Sequence, residues 1–194
     1  MNLSKNFWIA VIAICSCLII VITIGFISFH NRKPEIVEEE ANGGYVTLNY
    51  TSEVNALTIL KAEPMSDANG MKNLKEGQYF DFSVDVNVDG APKVEYEISV
   101  IKDKKASTIS DDDIRIYLEK EDSGTYTKVF GPEKFTPAKN YSSLGSEIGS
   151  MVLFGNIRTK SCVDNYRLRI WLSDKAEVKE GSYSVEVDIH AVAK

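Results

Sequence analysis

The sequence predicts an all-β protein: an antiparallel β-sandwich, Ig-like or jelly-roll-like, of about nine strands, preceded by one N-terminal transmembrane helix. Three observations carry that prediction. Apolar and polar residues alternate with period two over many short runs, the strand period rather than the helical one. Turn signals rich in Gly, Pro, Asn and Asp separate the runs, and no βα alternation interrupts them. A single stretch near the start, Phe7 to Phe29, is 23 residues long and contains no charge.

That stretch reads as an anchor. A helix of that length extends about 34 Å, enough for a hydrocarbon core of about 30 Å. Trp8 lies at one end and His30, Arg32 and Lys33 at the other, where interfacial residues are expected. A cleaved signal peptide has a shorter apolar region ending in small residues, and Ile27-Ser28-Phe29 fits that poorly. Residues 1–33 are therefore expected to be a short tail plus a membrane-spanning segment. Residues 34–44 are an acidic linker containing Pro34, Glu38-Glu39-Glu40 and Gly43-Gly44, in which proline, charge repulsion and glycine oppose regular structure. Fully extended, it reaches at most roughly 36–40 Å.

Residues 45–194 form the expected domain, large enough for a single core. Residues 1–33 hold three bases (Lys5, Arg32, Lys33) and no acid. The 22 basic residues of the chain less these three leave 19 against 28 acids, a net charge of −9. Such a domain repels phosphate backbones, so nucleic acid is not an expected partner. Of the three cysteines, Cys15 and Cys17 fall in the apolar stretch, so Cys162 has no disulfide partner within the domain.

Within the domain, Tyr45–Tyr50 and Ala56–Lys61 are the first two strands, followed by a loop from Ala62 to Gly77. The clearest alternation follows: Phe80, Phe82, Val84, Val86 and Val88, then Asp89-Gly90, then Val94, Tyr96, Ile98 and Val100. Asp-Gly tolerates positive φ, so these runs are expected to pair as a hairpin whose apolar face needs a covering sheet. Ile114, Ile116 and Leu118 face inward from the next strand, with Arg115 and Tyr117 outward. A short strand at Gly124–Phe130 precedes a long irregular piece, Gly131–Ser150, a length usually tied to function or disorder. Strand character resumes at Met151–Phe154. The last two strands carry Tyr166, Leu168, Ile170 and Leu172, then Tyr183, Val185, Val187, Ile189 and Ala191. If those two pair, Arg167 and Arg169 oppose Glu186 and Asp188. Phe80, Phe82, Val84, Tyr96, Ile98, Ile116, Leu168, Ile170, Val185 and Val187 are expected to share one core.

Catalytic signatures are sparse. The chain has two histidines, His30 and His190, and lacks His-Glu-x-x-His, Gly-x-Ser-x-Gly and a phosphate-cradling glycine loop. Cys162 as a nucleophile would need a base beside it; a small buried hydrophobe is the simpler role. No cofactor is expected. Asp85, Asn87 and Asp89 match the first half of a calcium loop. The twelfth position falls on Tyr96, so the bidentate acid is missing, and a strand leading into a turn explains the same residues. Asp111-Asp112-Asp113 reads as a solvated loop. Tyr117 and Trp171, both on outward positions, are the candidate ligand- or partner-binding aromatics, joined by the 131–150 loop; packing under that loop is the competing reading.

The run Lys75-Glu76-Gly77-Gln78-Tyr79-Phe80-Asp81-Phe82-Ser83-Val84-Asp85-Val86-Asn87, closing on Val94-Glu95-Tyr96-Glu97-Ile98, resembles the TasA/camelysin group of bacterial surface proteins. The segments Tyr166–Leu172 and Gly181–Val187 are similar in style. The resemblance implies a jelly-roll-type domain of the biofilm matrix that assembles into fibres. The uncleaved anchor departs from that family and implies a tethered relative. Lys5 and the α-amino group nearly balance Arg32 and Lys33, so charge alone does not orient the chain. With the resemblance, the N-terminal tail is expected inside and the domain outside the cytoplasm.

The expected function is thus a non-enzymatic, single-pass, membrane-anchored cell-surface protein. It would contact like domains or extracellular matrix protein, and the bilayer through residues 7–29. The alternative is a carbohydrate- or peptide-binding module at the cell surface.

Overall fold

The computed structural model describes residues 45–50, 56–60, 64–74, 78–177 and 181–194. The predicted membrane segment 7–29 and the linker lie outside the described residues. Among the described residues, no helix is long and apolar enough to cross a membrane.

Nine strands form two antiparallel sheets: β1 (Tyr45–Tyr50), β2 (Ala56–Leu60), β3 (Tyr79–Asn87), β4 (Val94–Lys102), β5 (Ile114–Asp122), β6 (Thr125–Glu133), β7 (Ser150–Arg158), β8 (Cys162–Leu172) and β9 (Ser182–Ala193). One sheet has five strands in the order β1-β3-β8-β5-β6; the other has four, in the order β2-β9-β4-β7. A single turn of helix, α1 (Asp67–Gly70), interrupts the loop before β3. The architecture is an all-β sandwich, as the alternation predicts.

The expected central hairpin does not form. β3 pairs with β1 and β8, and β4 pairs with β9 and β7, so the chain crosses from one sheet to the other around Asp89-Gly90. The alternation itself explains the outcome. A hairpin would lay both apolar rows on one face and leave that face to be covered by other strands. The crossing sets the two rows toward one another across the core. Phe82, Val84 and Val86 on β3, and Val94, Tyr96, Ile98 and Val100 on β4, are all 2 % exposed or less. Asn87 Oδ1 accepts the Asp89 N–H at 2.8 Å, and Gly90 takes φ of 81°, which turns the chain at the crossing.

The β5–β6 connection is a tight hairpin. Ser123 and Gly124 both have positive φ (52° and 84°), the pair of conformations a two-residue turn matched to strand twist requires. β6 runs on to Glu133, longer than the alternation alone suggests, and β7 likewise reaches Arg158.

The expected pairing of the last two strands is also corrected. β8 and β9 lie in different sheets, so the arginines of β8 meet other acids. Arg167 makes a bidentate pair with its register partner Asp81 on β3, at 2.6 and 2.7 Å. Arg169 reaches Glu119 on β5 at 2.9–3.0 Å. The arginines do lie across from acids, and which strands lie alongside β8 sets the partners.

All ten residues expected in the core are there, and Ile98, Ile116, Leu168, Ile170 and Val185 are fully enclosed. Each buried side chain of this size contributes about 1.5–3 kcal/mol relative to exposure. Leu168 sits on β8, between β3 and β5, at the centre of the larger sheet. Leu168→Ala is expected to destabilise the domain by about 2–5 kcal/mol, read as a lowered urea midpoint at unchanged slope.

Candidate functional site

The aromatic pair singled out by the sequence is real but does not face solvent. Tyr117 on β5 and Trp171 on β8 lie on the outer face of the five-stranded sheet, with ring centroids 6.2 Å apart in an edge arrangement. Tyr117 is 6 % exposed and Trp171 1 %. The cover is α1. A Cβ placed on Gly70 would stand 2.2 Å from Trp171 Cε2, so only glycine lets the helix backbone rest on the indole. The indole Nε1–H is buried there without an acceptor. The long loop does not join them, because it lies on the opposite sheet. The expected platform is corrected to a packed contact.

That loop, residues 134–149, folds over the outer face of the four-stranded sheet. Phe135 turns inward and meets Tyr183 edge-on at 6.4 Å. Ser142 Oγ donates to Glu97 Oε1 on β4, and the Ser146 N–H reaches the same oxygen at 3.2 Å. Gly145 comes up against the ring of His190, whose Nε2 is 2.9 Å from Asp188 Oδ2. A buried glutamate, Glu97, thus anchors the loop: Ser142 Oγ, which itself accepts the Ser146 N–H at 2.8 Å, donates to its carboxylate.

Cys162 faces the core from β8 and is half-buried, and burial pushes its thiol above the ordinary value. His190 faces outward from the other sheet, so the two do not meet. A raised thiol is a poor nucleophile. Asp85 and Asp89 are exposed, and the Asn87 side chain is engaged in the turn described above. Among the described residues, no group of three His, Cys, Asp or Glu side chains is placed to hold a metal ion.

The outer face of the larger sheet also carries a shallow groove of about 210 Å³, lined by Asn49, Asp81, Ser83, Tyr126 and Asn165. Beside it the Arg167 guanidinium lies between the rings of Tyr79 and Tyr126, at 5.1 and 4.2 Å from their centroids. This stack fills much of the face with self-contacts.

The sheet edges offer a more open surface. Edge strands present unpaired backbone groups, and proteins commonly protect them by shortness, Lys, Pro or bulges. Among the described residues, β1 and β2 are short, at six and five residues. β6 carries Lys128 and Pro132 and two register irregularities against β5. β7 has nine residues, no Pro or Lys, no charge before Arg158, and one register irregularity against β4, between the partners of Ile98 and Ser99. Val152 and Ile157 on it are exposed, as are Ile148 and Tyr141 in the preceding loop. One edge group is already engaged, since the Ile157 N–H donates to Asn156 Oδ1 at 2.9 Å. The sequence carried a signal for this edge in the uncharged run Ser150–Ile157. Its meaning needs the topology, because an uncharged run in a central strand signals nothing about partners.

At one end of the sandwich the two sheets are tied by polar groups. Asp164, Tyr166 and Tyr96 are buried, and the Tyr96 hydroxyl donates to Asp164 Oδ2 at 2.6 Å. Burial would raise the Asp164 carboxyl, but hydrogen bonds from Arg158, Tyr96 and Lys120 outweigh it and hold it below the usual carboxylate range. Burial, foremost, pushes Tyr96, Tyr166 and Tyr183 above the ordinary phenol range.

No protein-family model matches the chain, and no curated protein matches it. Among solved structures, the chain is similar to the VP2 subviral particle of infectious bursal disease virus. Identity is 10 % and TM-score 0.41, over 84 % of this chain and 36 % of that one. It is also similar to AvmM, which catalyses macrocyclization in alchivemycin A biosynthesis. There identity is 8 % and TM-score 0.34, over 84 % of this chain and 97 % of that one. The chain spans about a third of the length of that VP2 chain.

Two predictions follow from the site geometry. Gly70→Ala forces the helix off the buried indole and is expected to cost about 1–3 kcal/mol of stability, with a red shift of Trp171 fluorescence. The raised tyrosines contribute stability that is complete below the unfolded phenol value near pH 10 and is lost as pH rises beyond it. A phenolate absorbance titration should show these three rings ionising only together with loss of β-sheet circular dichroism.

Proposed function

We propose that the protein is a non-catalytic cell-surface interaction module, held at the membrane by residues 7–29 and spaced from it by the acidic linker. In this reading the domain is a jelly-roll-like sandwich related to the TasA/camelysin surface proteins. It lies outside the cytoplasm and binds a like domain or matrix protein by adding a strand to β7. The observation that supports the reading most is the uncharged β7 edge, nine residues without a charge before Arg158, with Val152 and Ile157 open to solvent. An extended partner strand placed there gains main-chain hydrogen bonds along the edge and apolar contact with alternate side chains. The partner is then an extended polypeptide, which merges the peptide-binding alternative with the matrix reading. The burial of Tyr117 and Trp171 leaves the carbohydrate alternative without exposed aromatics at those two positions.

The test is the concentration dependence of the protein's mass in analytical ultracentrifugation, with the full chain in detergent. Self-association that disappears in Val152→Lys and Ile157→Lys, while the sandwich stays folded by circular dichroism, supports pairing at β7. A wild-type protein that remains monomeric at high concentration, and whose retention on matrix extracts is unchanged by the two lysines, removes the edge from consideration. Protease shaving of intact cells checks the placement of the domain: it should release residues 45–194.

A further inference from the structure

Where the core opens at one end of the sandwich, three strands bring a lysine, an aspartate and an asparagine together. Lys120 ends the inward row of β5, after Ile114, Ile116 and Leu118. Asp164 belongs to the inward row of β8, and Asn156 stands on β7 in the opposite sheet. Lys120 Nζ forms an ion pair with Asp164 Oδ1 at 2.9 Å. Asn156 Nδ2 donates to Asp164 Oδ2 at 3.4 Å and to the Tyr96 hydroxyl at 3.0 Å. Asn156 Oδ1 accepts the backbone N–H of Ile157 at 2.9 Å. One carboxylate therefore touches the amine of one sheet and the side-chain amide of the other.

The surroundings hold that carboxylate in place. Arg158 grips it through Nε, 2.8 Å from Oδ2, and through Nη2 on Oδ1. Tyr96 donates to it, and the Tyr96 and Tyr166 hydroxyls meet at 2.5 Å. The Lys120 ammonium lies 5.7 Å from the Tyr166 ring centroid, and Phe154 packs on the same ring at 5.9 Å. The Asp164 side chain is 7 % exposed. A buried ion pair by itself is a weak source of stability. It also leaves unexplained why a primary amide shares the same carboxylate with its carbonyl already polarised by a backbone N–H.

We propose that Lys120 and Asn156 are joined by an intramolecular amide bond, with Asp164 as the acid–base group of its formation. Asp164 takes a proton from the Lys120 ammonium. The free amine attacks Asn156 Cγ, and the Ile157 N–H stabilises the charge that develops on Oδ1. The Nζ–Cγ bond forms and the Cγ–Nδ2 bond breaks. Nδ2 leaves as ammonia, receiving its extra proton through the Asp164 carboxyl. The lysine ammonium and the asparagine amide give a secondary amide and one ammonium ion, so no oxidant, cofactor or water is consumed. Arg158 is a positioning residue: its two contacts fix the Asp164 carboxylate against both the amine and the amide. The bond covalently closes the loop between β5 and β7 and ties the two sheets. It constrains the unfolded chain as a disulfide would, in a domain whose described part has only Cys162. Asn156 and the Ile157 N–H lie on β7 themselves, but the bond is read from the mass of the chain and the edge from its association, so the two experiments fail independently.

The test is intact mass spectrometry of the denatured full-length protein, with peptide mapping. The wild-type chain is expected to weigh less than its sequence by one ammonia. Lys120 should resist trypsin and be recovered in one branched peptide with Asn156. Asn156→Ala and Asp164→Ala are expected to restore the full sequence mass of each variant. A wild-type chain at full sequence mass overturns the proposal, as does an ammonia deficit that maps to another asparagine. Should Asp164→Ala fail to fold, the wild-type mass and branched peptide still decide.

Discussion

The structure depends on one constraint: consecutive strands, except β5 and β6, belong to opposite sheets. Each crossing turns the inward row of one strand toward the inward row of the next. Apolar burial is therefore shared between chain neighbours, while hydrogen bonds are made with strands distant in sequence. β8 is the clearest case, because its partners β3 and β5 come from far earlier in the chain. Neither sheet can be completed until the other is nearly in place. Such non-local pairing defers most of its stabilisation until the loops have closed.

Charged groups are accommodated without opening the core. On the outer face of the larger sheet, arginines of β8 lie across from acids of β3 and β5. The partly exposed Arg167–Asp81 pair specifies register more than it stabilises, whereas Arg169 and Glu119 are buried, and each keeps the other's charge compensated. Glu97 anchors the long loop in the same way on the other sheet. The Asp164 cluster differs because it spans the interior. Its hydrogen bonds run from β8 to both β4 and β7, and the lysine and amide that share its carboxylate come from opposite sheets. A tie at that place holds the sandwich at the end where the 88–93 crossing enters it.

The functional reading follows from what each surface has left over. The groove face is occupied by the Tyr79–Arg167–Tyr126 stack, and Trp171 is occupied by α1. The β7 edge retains both exposed apolar side chains and strand length, which is why an extended polypeptide suits it better than a small molecule. In the proposed reading, a cross-linked sandwich would also withstand tension between residues 7–29 and a partner at the β7 edge.

The period-two alternation determined the fold class, the inward rows and the ten core residues, because side-chain direction along a strand is a local property. It also determined the charge-free segment and that Cys162 is the lone cysteine of residues 45–194, both matters of composition. Tertiary structure alone decided which strands pair. An alternating run looks the same whether its turn returns within a sheet or crosses to another, so Asp89-Gly90 read as a hairpin. It alone decided that Tyr117 and Trp171 are covered, since an outward position becomes buried when a distant helix such as α1 settles on it. The meeting of Lys120, Asn156 and Asp164 was likewise invisible along the chain, because three unremarkable residues acquire a common chemistry only when two sheets bring their ends together.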